Sequence, residues 1–336
     1  VLVADLKQSL EGLNERSLET TFGAMSLDKE ARTLRVAEGQ EFRFDEKTER
    51  AISQYLGISK SYLAKCPPDL KSHNINHWLQ AKPNTAATIE ALGDNLLSIH
   101  KPGLVILPVA RVAEVIERTL DPTYEIVNLI RNETKFHLDI MTPHSVEVPV
   151  DNRIADRTQG EHAVGDITHG GIRILSNPTE ADAPSVMTYL HRLWCTNGST
   201  SPEAEGEIKL KGRTVDDVII ELEGAAQRVL GQLDQKLADY ADLANRRPPG
   251  NPTKFARQLG IEYKIPDRVM KRILDRVEIL PEDSTLYDIQ QVFTQMANAN
   301  IPYAMMTRLQ TMAGTMAFET DHVVHRCGTC ERLLPE

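Results

Sequence analysis

GGIRILSNPTEADAPSVMTYLHRLWCTNGST, residues 170–200, joins the most β-rich third of the chain to a mostly helical second half. Ile172 and Ile174 share one face of a strand-like run that opens on Gly170-Gly171. The following PSVMTYLHRLWCTNG supports two readings. Val186, Tyr189, Leu190, Leu193 and Trp194 fit a helical face, whereas the β-rich flanks favour a strand. Asn197-Gly198 is a turn signal, because both residues tolerate positive φ. The apolar run ending at Leu193-Trp194-Cys195 therefore stops at a polar tip. That tip reads either as a binding surface or as an ordinary turn closing a core segment.

Upstream, Leu2, Leu6, Leu10 and Leu13 predict an amphipathic helix over 1–16, and short alternating runs predict β structure over 20–44. Asp45 is a candidate cap for a helix through Leu56, Ser59 for a short second one, and Pro67-Pro68 opens a third that carries His73, His77 and Trp78. His73 and His77 have metal-ligand spacing at i, i+4, but two ligands alone make a poor site, and a solvated or core-edge pair is the favoured reading. A hairpin is expected around Gly93-Asp94-Asn95, then a helix from Pro108, then strands over 124–150 with Pro143 and Pro149 at edges or bulges. Asp139, Glu147, Asp151 and Asp166 fall along these strands. Such acids hold Mg²⁺ in phosphodiester chemistry, but here they read better as solvent-facing.

Downstream, EIKLKG with Arg213 forms a short basic strand, and Val215 to about Ala244 reads as one long helix. Leu230, Leu233, Leu237, Tyr240 and Ala244 give it a coiled-coil-like seam, suited equally to self-association and to packing within the chain. ANRRPPGNP, residues 244–252, reads as a linker. Helices near 252–260, 266–278, 284–299 and 302–318 follow, with Ser284 as an N-cap and a Met-rich set that reads as core filler. The fold class expected is α+β: a β-rich part over 1–213 and a helical part over 214–336 with a CxxC tail.

That tail, DHVVHRCGTCERLLPE, places His322, His325, Cys327 and Cys330 within nine residues. Zinc is the cofactor these ligands suit, by themselves or with others; a redox pair and free thiols are the alternatives. The other two cysteines, Cys66 and Cys195, are isolated, so no secreted disulfide framework is indicated, and a reducing cytoplasm is expected. The N-terminal VLVADLKQSLEGLNERS has early acids and no cleavage-site pattern, so it does not read as a signal peptide. No run of about 18 apolar residues marks a membrane span. A net charge of −10 disfavours a surface coated for nucleic acid while leaving room for a local basic groove.

Several stretches together resemble the phage/plasmid-like protein family, a family of unknown function. GIRILSN (171–177) followed by YLHRLWCTNG (189–198) is similar to its paired signature. LGISKSYLAKCPPDLKSHNINHWL (56–79), LYDIQQVFTQMANA (286–299), LQTMAGTMA (309–317) and RCGTC (326–330) are similar to further regions. Arg192, Cys195, Asn197 and Gly198 match residue for residue; Ser176-Asn177-Pro178 departs from an Asn-Ser-Glu pattern. The resemblance implies origin in a mobile element, in a bacterial host cell, among replication and recombination genes. It transfers no catalytic residue.

The leading functional expectation is a non-enzymatic DNA-metabolism protein that binds or anneals single-stranded DNA as a homo-oligomer. Trp194 would stack a base, Asn197 would sit at the tip, and Arg173, Arg192, Lys209, Lys211 and Arg213 would meet phosphates. A virion-type structural oligomer is the first alternative. A metal-dependent nuclease using the strand acids is the second, although no nucleophile–base pair, P-loop or dinucleotide fingerprint is legible.

Overall fold

The computed structural model describes residues 1–10, 14–131, 136–148, 166–176, 183–192, 198–200, 207–297, 299 and 301–318. The chain is α+β, with strands mostly in its N-terminal half and helices in its C-terminal half. It divides into two compact units whose segments interleave. The first holds Val1–Leu138, Ile174–Ser185 and Lys209–Ala225; the second holds Asp139–Arg173, Val186–Ile208 and Ala226–Glu336. Chain order and compactness therefore divide the molecule differently: residues 209–225 belong with the N-terminal unit, and 139–173 with the C-terminal helices.

The first unit is built on a sheet of six strands: β1 (Glu15–Thr21), β2 (Ser26–Leu27), β3 (Thr33–Val36), β4 (Gln40–Arg43), β5 (Ala86–Leu92) and β6 (Asn95–His100). Their spatial order is β1-β5-β6-β4-β3-β2. The expected hairpin pairs β5 with β6 through Gly93-Asp94, and Gly93 takes φ +59°, which a glycine adopts without steric cost. Alternation along β5 sends Ala87, Ile89 and Ala91 to the core, where Leu34, Phe42, Ile52 and Ile75 meet them. Each such aliphatic or aromatic side chain contributes about 1.5–3 kcal/mol by leaving water. Thr88 and Glu90 therefore face the other side of the sheet.

Helices cover the core face. They are α2 (Glu46–Leu56), α3 (Lys60–Leu63) and α4 (Pro68–Ala81), whereas α1 (Leu6–Ser9) packs with α5 (Val109–Thr119), which follows the hairpin. Asp45 caps α2 as expected: its carboxylate accepts from Thr48 N at 3.0 Å, while Thr48 Oγ1 accepts from Asp45 N at 2.9 Å. The helix expected over 1–16 is shorter. A 3₁₀ turn at Val3–Asp5 leads into α1, and β1 is already under way at Glu15 because Glu15–Thr21 pairs along the whole of β5. Sheet pairing outweighs the helical spacing of the leucines.

A second sheet contains β7 (Glu125–Arg131), β8 (Phe136–Val148), β9 (Asp166–Ser176), β10 (Ser185–Arg192) and β11 (Gly198–Thr200) in the order β11-β10-β9-β8-β7, and β12 (Ile208–Lys209) pairs with β10. The ambiguous run after Pro184 is thus a strand. Burial along β8 is continuous to Ile140 and alternates from Pro143, so one face of the later half is wet and tolerates a residue that cannot donate to a ladder. Gly170-Gly171 lies inside β9, not at its start. A Cβ on Gly171 would stand 2.0 Å from the Ile140 carbonyl oxygen, and one on Gly170 would stand 3.2 Å from a Leu233 methyl. The two glycines let a strand approach on one side and a helix on the other.

The long helix α6 runs Val215–Asp242, and α7 (Pro252–Glu262), α8 (Asp267–Val277), α9 (Leu286–Ala297) and α10 (Tyr303–Phe318) follow the Pro-rich linker. In the second unit Leu237 and Tyr240 of α6 join Phe255, Ile273, Phe293 and Met312 in one apolar cluster. The coiled-coil-like seam is thus occupied by the chain itself over this stretch. Met296, Met312 and Met316 are buried there, with Met305 and Met306 at the margin, as core filler. The cap of α9 is Thr285, one residue beyond the expected Ser284: Thr285 N donates to Asp288 Oδ2 at 2.8 Å.

Gly171→Ala is expected to destabilise the protein by about 3 kcal/mol, since the obstructing atom is backbone and cannot swing away. Equilibrium urea unfolding checks this, with Gly231→Ala, where an added Cβ meets open space, as the control.

Candidate nucleic-acid interface

Of the cations expected to meet phosphate, Arg173 is placed in the interior of the second unit. It is 3% exposed, and its partner Asp139 is 1% exposed. Nε and Nη2 donate to Asp139 Oδ1 and Oδ2 at 2.6 and 2.9 Å, and Nη1 donates to Gln310 Oε1 at 2.9 Å. The guanidinium carbon lies 4.8 Å from the centre of the Tyr189 ring. Burial and the Asp139 carboxylate hold the Tyr189 phenol above its ordinary value, against the pull of Arg173. This is a satisfied interior ion pair, so a phosphate would have to displace Asp139 to reach Arg173. The same geometry places Asp139 away from the solvent-facing role read for it: both oxygens already receive guanidinium protons. Glu147 is exposed on β8, Asp166 begins β9, and Asp151 lies outside the described residues. Among the described residues, no three His, Cys, Asp or Glu side chains are grouped to hold a metal.

Lys209, Lys211 and Arg213 are exposed and belong to the first unit, on the approach to α6. Buried Leu210 alternates between the two lysines, and its N–H donates to the Pro184 carbonyl at 2.7 Å. Asp217 caps the start of α6 beside them through backbone N–H groups. Arg213 N and Thr214 N both donate to Asp217 Oδ2 at 3.0 Å, and Thr214 Oγ1 accepts from Asp217 N at 3.1 Å. These bonds, that from Arg213 N first, hold the Asp217 carboxyl below its ordinary 3.8. Arg192 closes β10. Trp194, Cys195 and Asn197, like the proposed zinc ligands His322, His325, Cys327 and Cys330, lie outside the described residues. Arg173 and the Lys209–Arg213 run thus fall in different units.

A surface that the sequence reading passed over lies on α3 and α4 of the first unit. Helix α4 divides cleanly. Ser72, Ile75, Asn76 and Leu79, at helical spacing, form its inner side. Asn76 brackets strand residue Leu27, accepting from its N–H at 2.7 Å and donating to its carbonyl at 2.8 Å; Ser72 Oγ donates to the same carbonyl at 3.0 Å. The outer side carries Leu70, His73, His77 and Trp78. Trp78 is 44% exposed and Tyr62, on α3, is 49% exposed. Asn74 Nδ2 donates to the Tyr62 hydroxyl at 3.1 Å, and Asn74 is one turn from Trp78, so the two aromatics flank one side chain. The His77 and Trp78 rings stand edge to face, 5.5 Å between centres. Lys60, Lys65 and Lys82 are exposed around this group. Residues 59–82 hold four lysines against one aspartate, in a chain whose net charge is −10. The two histidines project side by side into solvent. Trp78 stands at i+3 from Ile75 and next to Leu79, a spacing that suits the apolar side of the helix, and the structure nevertheless leaves it on the wet side.

No protein-family model, curated protein or solved structure matches the chain. Among the described residues, no helix is long and apolar enough to cross a membrane.

Asp139→Ala is expected to cost about 3–5 kcal/mol, because it strands a buried guanidinium. The double replacement Asp139→Leu with Arg173→Met is expected to recover most of that loss, and urea midpoints of the three variants measure it. A second expectation concerns pH. Since folding lowers the Asp217 carboxyl, its contribution is present above the ordinary carboxylate range and is lost as pH falls through the folded value. The stability gap between the parent and Asp217→Ala should therefore be present at neutral pH and narrow on acidification below 3.8, as followed by thermal unfolding across pH.

Proposed function

We propose that this chain is a phage- or plasmid-encoded, non-enzymatic protein of DNA metabolism that binds single-stranded DNA as an oligomer through the outer faces of Lys60–Leu63 and Pro68–Ala81. The observation that carries the reading is Trp78, a tryptophan held open to solvent on a helix whose other side is anchored, with Tyr62 beside it and lysines around both. Bases present flat π faces whatever their sequence, and exposed aromatics interleaved with cations are the chemistry that binds a strand without reading it. Local charge supports the same choice. A chain that is acidic overall attracts a polyanion only where cations outnumber acids, and residues 59–82 are such a place. Origin in a mobile element rests on the sequence resemblance. The oligomeric state rests on the apolar seam of α6, part of which the chain itself fills at Leu237 and Tyr240.

Trp78 and Trp194 are the two tryptophans, so a Trp194→Phe background isolates the reporter. Titration with oligo(dT) at about 50 mM salt is expected to quench Trp78 fluorescence, with log Kd changing against log salt with a slope of about 2, as three phosphate contacts require. Trp78→Ala is expected to weaken binding by about 1–3 kcal/mol. Replacing Lys60, Lys65 and Lys82 together by Glu should abolish it at that salt while leaving the thermal midpoint near the parent's. Absence of binding at low salt would remove the proposal, and affinity unchanged in Trp78→Ala would move the interface elsewhere. Native mass spectrometry of the same samples reports subunit number; an oligomer indifferent to DNA is the result that a structural assembly protein would give.

A further inference from the structure

The face of the first sheet turned away from its core borders a cavity of about 290 Å³, near the lower end of the range occupied by small-molecule sites. Its two sides differ in chemistry. One is polar: alternation along β1 presents Glu15, Ser17 and Glu19, and β5 adds Thr88 and Glu90. The other is the apolar approach to α5, where Leu104, Ile106 and Leu107 meet Phe136. Glu90 sits between them at 8% exposure. Its Oε1 is taken twice, by the Ser17 hydroxyl at 2.9 Å and by His100 Nε2 at 3.3 Å. Its Oε2 has no hydrogen bond among the described residues and keeps some accessible surface. Ser98, opposite Glu90 on β6, is fully buried with its hydroxyl likewise unpartnered.

Neither arginine that lines this cavity answers that carboxylate, whose ionic partner is His100 when that imidazole is protonated. The Arg16 guanidinium turns to the other face of the sheet, 5.1 Å from the centre of the Phe42 ring and 3.2 Å from Asp94 Oδ1. Arg213 stands exposed at the rim. Glu15 is engaged at the start of α5, where its Oε2 accepts the Val109 N–H. The cavity is therefore lined by a carboxylate with one oxygen free of hydrogen bonds and, elsewhere, by apolar side chains.

We propose that this cavity is a binding site for a small organic cation, an ammonium group on a compact apolar body. The ammonium donates to Glu90 Oε2, and the apolar body lies against Leu104, Ile106 and Phe136. A bare metal ion would leave the apolar wall unused, and an anion would meet Glu90 and Glu19. The site is independent of the DNA-binding reading, because the α3–α4 surface lies on residues that do not line it.

Phenethylamine is a suitable probe, with phenethyl alcohol as its uncharged counterpart, and ligand-observed NMR against the full-length protein is the measurement. The amine is expected to bind at least about ten-fold more tightly than the alcohol, in the roughly millimolar range of a fragment. Glu90→Gln is expected to erase that preference. Val105→Trp, which fills the cavity while leaving the carboxylate in place, is expected to remove binding of both compounds and to leave oligo(dT) affinity unchanged. Equal affinity for amine and alcohol, or no binding of either, overturns the proposal. So does retention of amine binding in Val105→Trp, which covers the case in which Glu90→Gln fails to fold.

Discussion

A guanidinium and a carboxylate, both withdrawn from water, tie the elements of the second unit together. Arg173 on β9 grips Asp139 on β8 with two parallel hydrogen bonds, reaches Gln310 on α10 with a third, and lies over the ring of Tyr189 on β10. Three strands and a helix therefore share one charged centre. Apolar packing alone tolerates small shifts of one element past another; a bidentate pair does not, because a shift of an ångström leaves a charge unanswered where water cannot reach it. The glycines two and three residues earlier on the same strand serve the same end. They remove the side chains that would hold β8 and the long helix away.

The first unit uses its sheet differently. One face is an ordinary apolar core in which Phe42, Ile52, Ile75 and Ile89 close against helices. The other face is polar and is only partly satisfied, with Glu90 and Ser98 keeping unanswered oxygen atoms. The helices that seal the core present a second surface outward, where Trp78 and Tyr62 stand in solvent among lysines. With aromatics making up only 5% of the chain, their placement carries weight.

The elements legible beforehand were those in which local and global preferences agree. The helices after Pro108, Asp45 and the 244–252 linker, and the hairpin at Gly93-Asp94, lie close to where apolar periodicity and turn chemistry put them. The departures have one cause. Leu10 and Leu13 continue a helical spacing, but the strand partner available in β5 captures the chain at Glu15. The run after Pro184 carries a helical spacing of apolar residues, yet lies between strands and pairs with them. In both places the hydrogen bonds offered by a neighbouring strand outweigh an intrinsic pattern that is identical on paper.

For the candidate sites the division is sharper. The sequence by itself determined the class of fold and the basic balance of residues 59–82, which depend only on composition and on the 3.6-residue repeat. That Trp78 stands in solvent while Ile75 and Leu79 are buried was decided by the packing of the helix. The sequence also marked Arg173, Asp139 and Lys209 by charge, but charge says nothing of depth. Only the tertiary structure decided that Arg173 and Asp139 neutralise each other in the interior while Lys209, Lys211 and Arg213 stay on the surface. It alone decided that Ser17, Glu90 and His100, from three strands, share one hydrogen-bonded cluster at a cavity. Whether a titratable side chain is a surface charge, a buried pair or an open acceptor depends on the atoms that surround it, and chain folding brings those from strands far apart in sequence.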